Sequence, residues 1–594
     1  MGAVPDDGGV TFRVWAPNAR HVAVIGDFCD WQTTRKQMLA PDNARSGTWS
    51  AFVPGAVPGT EYRFLIRRGG PYLWRMDPYG RQVTGSRGNS VVFDPAPLDW
   101  GSDAYVSPGW DEIVLYELHV GTFAADARGA GTFDKAIGRL EHLAWLGVNA
   151  VEVMPPFEFA GTVSWGYNPS HVFAIESSYG GPHAFARFVR EAHRLGIAVF
   201  LDVVHNHLGP TDLDLWRFDG WRKGGWGGVY FYNDRRALTP WGATRPDYGR
   251  SQVRRFLRDS AVMWLEDFRV DGLRFDGTNF IRSRGGDTRD PAAYLRGGHA
   301  YLAALTADLR ERQPWKLLVA EDMQLDPVVT RSSAAGGLGF HAQWDAGFVH
   351  PVRAALETPR DEDRNLYAVA HAWLGHYLSA PHERVVFTES HDEVANGRSR
   401  LPETITPGAA DSWHARKRSA LGLALTLTAV GLPMLFQGQE FCEDQWFSDR
   451  RALSWEKGNH HHGFLLLVRD LVRLRRNVDR TTGGLHGPHA KILRVDPHHG
   501  VLVLHRWHRG GPGDDTIVVV NLSTRTHGHY PVGFPASGRW RLRVNTDAPT
   551  YGPDFGAVVT TDVDATNWWC DGYPAGSHVA LGPYTALVFS QDPA

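Results

Sequence analysis

Three short apolar runs in the middle of the chain each close on a carboxylate, and a fourth has the same design. They are Gly272-Leu273-Arg274-Phe275-Asp276, Val319-Ala320-Glu321-Asp322, Ser390-His391-Asp392-Glu393 (after Val385-Val386-Phe387-Thr388) and Val199-Phe200-Leu201-Asp202-Val203-Val204-His205-Asn206-His207. Each reads as a buried strand that ends in polar side chains. When strands alternate with helices, a barrel brings their C-terminal ends to one face, where its active site lies. Carboxylates converging on such a face are the equipment for cleaving a glycosidic bond. The pattern points to an enzyme acting on sugars.

Barrel-type strands are expected at 113–120, 150–155, 198–204, 271–276, 316–321, 340–344, 384–389 and 433–437, with helical patterns between most of them. Eight such strands, with polar residues spread over many strand ends, fit an α/β fold of the (β/α)8 TIM-barrel type better than an open sheet. Residues 9 to about 95 read as all-β, through Val10–Trp15, Val22–Ile25, Trp49–Val53 and Tyr62–Ile66, punctuated by Gly, Pro, Asn and Asp. A Pro/Asp/Gly-rich stretch from Pro95 to Trp110 reads as a linker. Short strands return with Gly500–Leu504 and Thr516–Val520. The expected organisation is an N-terminal β-sandwich over 1–97, a catalytic barrel over 105–485 and a C-terminal antiparallel β domain over 490–594. A Gly-, Trp- and Tyr-rich excursion at 208–250 follows the third strand, and loops of that length are usually functional.

Composition narrows the partners. A net charge of −3 carries no basic excess, which argues against nucleic acid or a membrane surface. No run approaches the roughly 20 apolar residues of a membrane helix. The N-terminus has neither the basic start nor the apolar stretch of a signal peptide. Three scattered cysteines, Cys29, Cys442 and Cys570, suit neither a disulfide framework nor a zinc site, and the expected location is cytoplasmic. His460-His461-His462 and His498-His499 read as solvated loop histidines, so no metal and no cofactor is expected. The 23 Trp residues are compatible with sugar stacking and equally with a large core.

Taken singly, the polar strand ends admit plain structural readings. Arg274 and Asp276 point to one side of a strand, which suits a structural ion pair or an oriented, ionised nucleophile. Glu321 after an apolar strand is either a general acid with a raised pKa or a surface glutamate. His391-Asp392 could bind hydroxyls or cap a helix. Their shared position after barrel strands makes the set informative.

The ordered motifs Asp202–His207, Gly272–Asp276, Glu321 and Ser390–Asp392, with Trp165-Gly166-Tyr167-Asn168-Pro169, resemble the α-amylase superfamily, glycoside hydrolase family 13. The resemblance spans nearly the whole chain. It implies a retaining mechanism on α-glucosidic bonds, with Asp276 as nucleophile, Glu321 as acid and then base, and Asp392 stabilising the transition state. It further implies that Tyr167 stacks on the glucose, that His207 and His391 bind its hydroxyls, that Arg274 orients Asp276 and that Asp202 braces the site. The implied partners are α-1,4-glucans: glycogen, amylose and maltooligosaccharides.

Within the superfamily, Trp15–Ala19, Gly26–Trp31, Ser390–Val394 with Glu393 after the Asp, and Leu435–Phe441 resemble the glycogen branching enzymes. Tyr116–Phe123, His207–Pro210 and Thr239–Gly242 resemble the maltooligosyl trehalose trehalohydrolases instead. The expected activity is branching, with trehalohydrolase or endo-acting amylase as alternatives. Trp226, Tyr230, Phe231, Tyr232 and Trp241 of the excursion are expected either to stack on substrate or to pack the loop.

Overall fold

A computed structural model of the chain describes every residue except 44, 96, 97, 99, 102, 103, 128, 376–379 and 594. Five of the excepted residues fall in the expected linker from Pro95 to Trp110, so that part of the expectation lies outside the described residues.

All eight expected barrel strands form, and they close into a parallel barrel. In chain order they are β1 (Leu115–Leu118), β2 (Ala150–Val153), β3 (Ala198–Val203), β4 (Gly272–Phe275), β5 (Leu317–Ala320), β6 (Ala342–Trp344), β7 (Arg384–Val386) and β8 (Leu432–Phe436). β8 pairs with β1 to complete the circle. Inward-facing residues alternate along the strands, and Leu115, Phe200, Val319, Trp344, Val385 and Met434 fill the interior. Gly272 faces this interior where a Cβ would lie 2.3 Å from the Phe200 ring, so only glycine fits.

The helices form for local reasons. Phe133–Leu146 begins where the Thr132 side chain accepts from the Lys135 N–H, and ends at Gly147 with φ 93°. Its buried residues Phe133, Ala136, Leu140 and Leu143 recur at helical spacing and lie in the main core. Among the described residues, only a 3-10 turn, Ser333–Ala335, lies between β5 and β6. The run Ala334-Ala335-Gly336-Gly337-Leu338-Gly339 accounts for this, since each glycine weakens a helix.

The N-terminal residues build two antiparallel sheets containing Gly9–Trp15, His21–Gly26, Thr48–Pro54 and Glu61–Arg67, which include the four strands expected there. The C-terminal residues build a six-stranded antiparallel sheet, and a two-stranded one shares its core. The excursion after β3 is the seam to the N-terminal sheets. Asn18 donates to buried Asp219 from its backbone and its side chain, both at 2.9 Å, and Trp15 meets Tyr230 edge-on. On the other side, buried Arg506 donates to the backbone oxygens of Thr428 and Ala429 at 2.9 and 2.7 Å, tying the C-terminal sheet to the barrel.

No helix among the described residues is long and apolar enough to cross a membrane. Cys29, Cys442 and Cys570 are free and buried. Among the described residues no group of three or more His, Cys, Asp or Glu could hold a metal ion. His461 pairs with Asp411 and His499 with Asp496.

Candidate active site

The polar strand ends converge on one face of the barrel around Arg274. This side chain is fully buried on β4, and its Nη1 donates to Asp202 Oδ2 at 2.6 Å and to Asp276 Oδ1 at 3.0 Å. Its Nη2 lies 3.2 Å from Glu321 Oε2. The guanidinium stacks over Trp344, 4.3 Å from the ring centroid. One planar cation thus fixes three carboxylates that come from β3, β4 and β5.

Asp276 is the first residue beyond the β4 ladder. Its second oxygen accepts from Asn206 Nδ2 at 2.6 Å, so both oxygens are held. Burial pushes its carboxyl above the ordinary value, with the Arg274 charge pulling the other way. The expected pairing with Arg274 forms, and the arginine's pull toward the ionised form is opposed by burial. Gly277 follows with φ 49°, and its N–H donates to Glu321 Oε2 at 2.7 Å. A Cβ there would come 2.3 Å from Asn206 Nδ2, so glycine is required on both counts.

Glu321 is the first residue beyond the β5 ladder. Burial lifts its carboxyl to about 7, with the Asp276 and Asp392 charges adding to the rise and Arg274 opposing it. A carboxyl at that value is protonated often enough near neutrality to act as a general acid. Asp392 is half-exposed and reaches into the cavity, its Oδ1 3.6 Å from His391 Nε2. His391 is buried. Burial acts to lower its pKa, but the Asp392 and Glu117 charges prevail and raise it to about 9, so its ring carries two N–H donors at neutral pH. The ring pairs with Glu117 and precedes a turn, so a helix-capping role does not apply.

The resulting cavity has a volume of about 510 Å³. Tyr167, His207, Trp241, Asp276, Glu321, His391 and Asp392 line it, so the structure brings these seven expected site residues together. Tyr167 lies on the loop between Phe157–Phe159 and Pro169–Ile175. It stacks on His391 with centroids 4.9 Å apart, and its hydroxyl donates to Asp202 at 2.6 Å. Trp241 is 53% exposed and stacks on His207 at 4.7 Å. Burial lowers the His207 pKa to about 4, so that ring is neutral.

Three expected binding residues sit elsewhere. Asp202 and Arg274 do not line this cavity. They lie beneath its floor, at 1% and 0% exposure, and hold Asp276 and Tyr167 rather than facing the opening. Glu393 lines two neighbouring cavities instead. Of the excursion aromatics, Tyr230, Phe231 and Tyr232 are buried, and Trp226 packs against the core. These four pack the loop, while Trp241 reaches the site.

Sequence reasoning passed over Asn206 and Glu117. Glu117 sits on β1 at 1% exposure and grips both the ring and the backbone of His391. The signal for it was a charged residue at an inward position of a strand, two residues after Leu115. The signal for Asn206 was its place beside His207 in a run already singled out.

Comparison with known proteins agrees with this architecture. Residues 1–80 match carbohydrate-binding module 48 (isoamylase N-terminal domain), residues 122–216 the alpha amylase catalytic domain and residues 493–592 the alpha amylase C-terminal all-beta domain. The chain is 31% identical to the 1,4-alpha-glucan branching enzyme GlgB of Corynebacterium jeikeium, over 99% of its own length and 83% of that protein's. It is 32% identical to the GlgB of Marinobacter nauticus, over 94% of its own length and 90% of that protein's. In fold it is similar to pullulanase type I from Bacillus subtilis, solved with maltose, with a TM-score of 0.77, 21% identity and coverage of 100% and 85%. A Paenibacillus barengoltzii pullulanase, solved with maltohexaose and alpha-cyclodextrin, gives 0.73 at 19% identity, with coverage of 100% and 95%. A barrel flanked by these β domains is shared across that wide group; the full-length identity to the branching enzymes is what narrows it, and the chain belongs to the GlgB family of 1,4-alpha-glucan branching enzymes, within the α-amylase family.

Proposed function

We propose that this protein is a retaining 1,4-α-glucan branching enzyme, which cuts an α-1,4 bond and joins the freed chain to a 6-hydroxyl. The observation that carries the mechanism is the single Arg274 guanidinium, which contacts both Asp276 and Glu321. Two carboxylates gathered on one guanidinium support covalent capture, for which a spacing of about 5–5.5 Å is typical, over the wider gap that admits a water.

In this reading Asp276 attacks the anomeric carbon while Glu321 gives its proton to the departing 4-oxygen. A glycosyl ester to Asp276 forms, and Glu321 is left as a carboxylate. The incoming 6-hydroxyl then loses its proton to Glu321 as its oxygen displaces Asp276, so the α configuration is inverted twice and retained. Asp392 and the doubly protonated His391 face the ring hydroxyls, and Tyr167 offers its face to the sugar.

The test follows reducing ends on amylose before and after treatment with a debranching enzyme. Few ends at first and many after debranching establish branching. Free ends from the outset mean hydrolysis, and release of trehalose from a trehalose-capped maltooligosaccharide then separates trehalohydrolase from amylase. The second reading keeps one structural support. The Thr239–Gly242 turn, which resembles the trehalohydrolases, carries Trp241 onto His207 at the site.

A further inference from the structure

A further cavity lies at the end of the barrel away from Asp276. Its volume is about 830 Å³, against about 510 Å³ at the site. Asp271, Lys316 and His341 line it, and each stands immediately before a strand, β4, β5 or β6. Asp276 and Glu321 follow the other ends of β4 and β5. Asp271 and Asp276 bracket β4, so the two faces stand roughly 17 Å apart along the strand.

We propose that this cavity is a second α-glucan seat, which holds a chain segment on the face opposite the catalytic carboxylates. The proposal rests on the glucan substrate of the reading above. A short oligosaccharide cannot reach both seats through the packed barrel. A polymer can, with separate chains or with distant parts of one chain. The seat therefore raises affinity for polymer and leaves the chemistry at Asp276 unaltered.

The walls suit a neutral, hydroxylated chain. Tyr105, Trp110 and Trp315 line the cavity, and Trp315 is 61% exposed, a flat ring open to a sugar face. Tyr105 stacks on His193 with centroids 4.1 Å apart, and Trp110 tilts against His341 at 5.7 Å. The charged groups are engaged within the protein. Asp271 accepts from Ser107 Oγ at 2.6 Å, pairs with His193 Nε2 at 2.9 Å and has Lys316 Nζ 3.8 Å away. Glu266 pairs with Arg312 at 3.0 Å, and Arg269 lies over the Trp100 ring at 5.0 Å. Such a wall gives an anionic ligand little to hold. It does offer neutral hydrogen bonds. The Leu318 N–H donates to His341 Nδ1 at 3.0 Å, and burial lowers the pKa of that ring to about 4. His341 is therefore neutral with its proton on Nε2, a donor for a hydroxyl, and the Gln313 carboxamide beside Trp315 both donates and accepts.

The test runs native electrophoresis through dissolved glycogen on the unaltered protein, Trp315→Ala, Trp315→Phe and a double variant, Trp315→Ala with Gln313→Ala. Trp315→Ala is expected to weaken the apparent affinity about threefold to tenfold, the size of one lost ring contact. The double variant should lose more, and Trp315→Phe should keep most of it. The Trp315 ring is exposed, so an unaltered thermal midpoint is the check on folding. Equal retardation of the unaltered protein and the double variant overturns the seat's part in holding polymer. Hydrogen exchange reads the seat directly. Maltoheptaose should slow exchange in peptides covering 313–318 of the unaltered protein, and should not do so in Trp315→Ala. Exchange there that maltoheptaose leaves unchanged overturns the seat, whatever the gel shows. Release of free reducing ends in place of branches overturns the branching reading alone, and exchange over 313–318 still decides the seat.

Discussion

Glu117 grips His391 at two points. Its Oε1 lies 2.5 Å from the ring Nδ1, and its Oε2 accepts the backbone N–H at 3.0 Å. One carboxylate on β1 thereby sets both the charge of the ring and the path of the chain that places Asp392. The ring's other nitrogen is left to face Asp392 and the cavity.

Glu117→Gln keeps the shape of this grip and removes its charge. The expected loss in kcat/KM is about 10- to 100-fold, the size of a charge-assisted hydrogen bond given up in the transition state. Stability supplies a second readout. His391 is raised to about 9, so its pairing stabilises the fold fully below the ordinary histidine value and loses that effect as pH rises through about 9. The difference in unfolding midpoint between the two proteins should therefore shrink from pH 6 to pH 9.5. A constant difference would show that the charge of His391 is not what Glu117 supports.

Asp276→Asn and Glu321→Gln should each lower turnover by roughly 10³-fold or more, because one removes the nucleophile and the other the proton donor. Neither change should lower the unfolding temperature, since burial already disfavours the charged form of both carboxyls. With Glu321 at about 7, the rate of the unaltered enzyme should decline as pH rises through that value and the acid loses its proton. A rate that is flat from pH 6 to pH 9 would remove Glu321 from the acid role.

The barrel was legible because its strands are short, largely apolar runs buried on both faces, broken only by single polar residues such as Glu117, Glu152 and Arg274. All eight strands were placed, yet most expected C-terminal ends overshoot the ladder by one to three residues. After Phe275 and Ala320 the strands end, and the chain turns to aim Asp276 and Glu321. Sequence periodicity does not register the last ladder bond. The roles of Glu117 and Asn206 were not legible, because they depend on closure. Glu117 meets a loop that follows β7, 274 residues away. The excursion announced itself by its aromatics, but only the docked N-terminal sheets reveal that Tyr230 is packing. Trp15, from those sheets, occupies the edge of its ring.

The excursion should divide cleanly under mutation. Trp241→Ala removes an exposed ring that lines the site, so KM should rise by about tenfold with little change in unfolding temperature. Phe231→Ala empties a fully packed position and should cost about 3–5 kcal/mol of stability, with kcat/KM of the folded fraction retained. Denaturant unfolding alongside steady-state kinetics reads both. A kinetic defect in Phe231→Ala without loss of stability would place that ring in the substrate path.

Glu152 on β2 lies beside Glu117 across the ladder, at 1% exposure, and neither of its carboxyl oxygens has a hydrogen-bond partner among the described residues. Burial raises its pKa well above the ordinary value, and the neighbouring Glu117 and Asp202 charges add to the rise while Arg274 and His391 oppose it. Burial thus favours the neutral acid over the carboxylate at this position. A neutral isostere should serve as well, so Glu152→Gln is expected to keep activity within about threefold of the parent. A group that resists ionisation in the fold costs stability as pH climbs above the ordinary carboxyl value. Glu152→Gln should accordingly hold its unfolding midpoint better than the parent between pH 5 and pH 9. If the variant instead loses stability at low pH, where both proteins are neutral at this position, the carboxyl makes a specific bond that glutamine cannot replace.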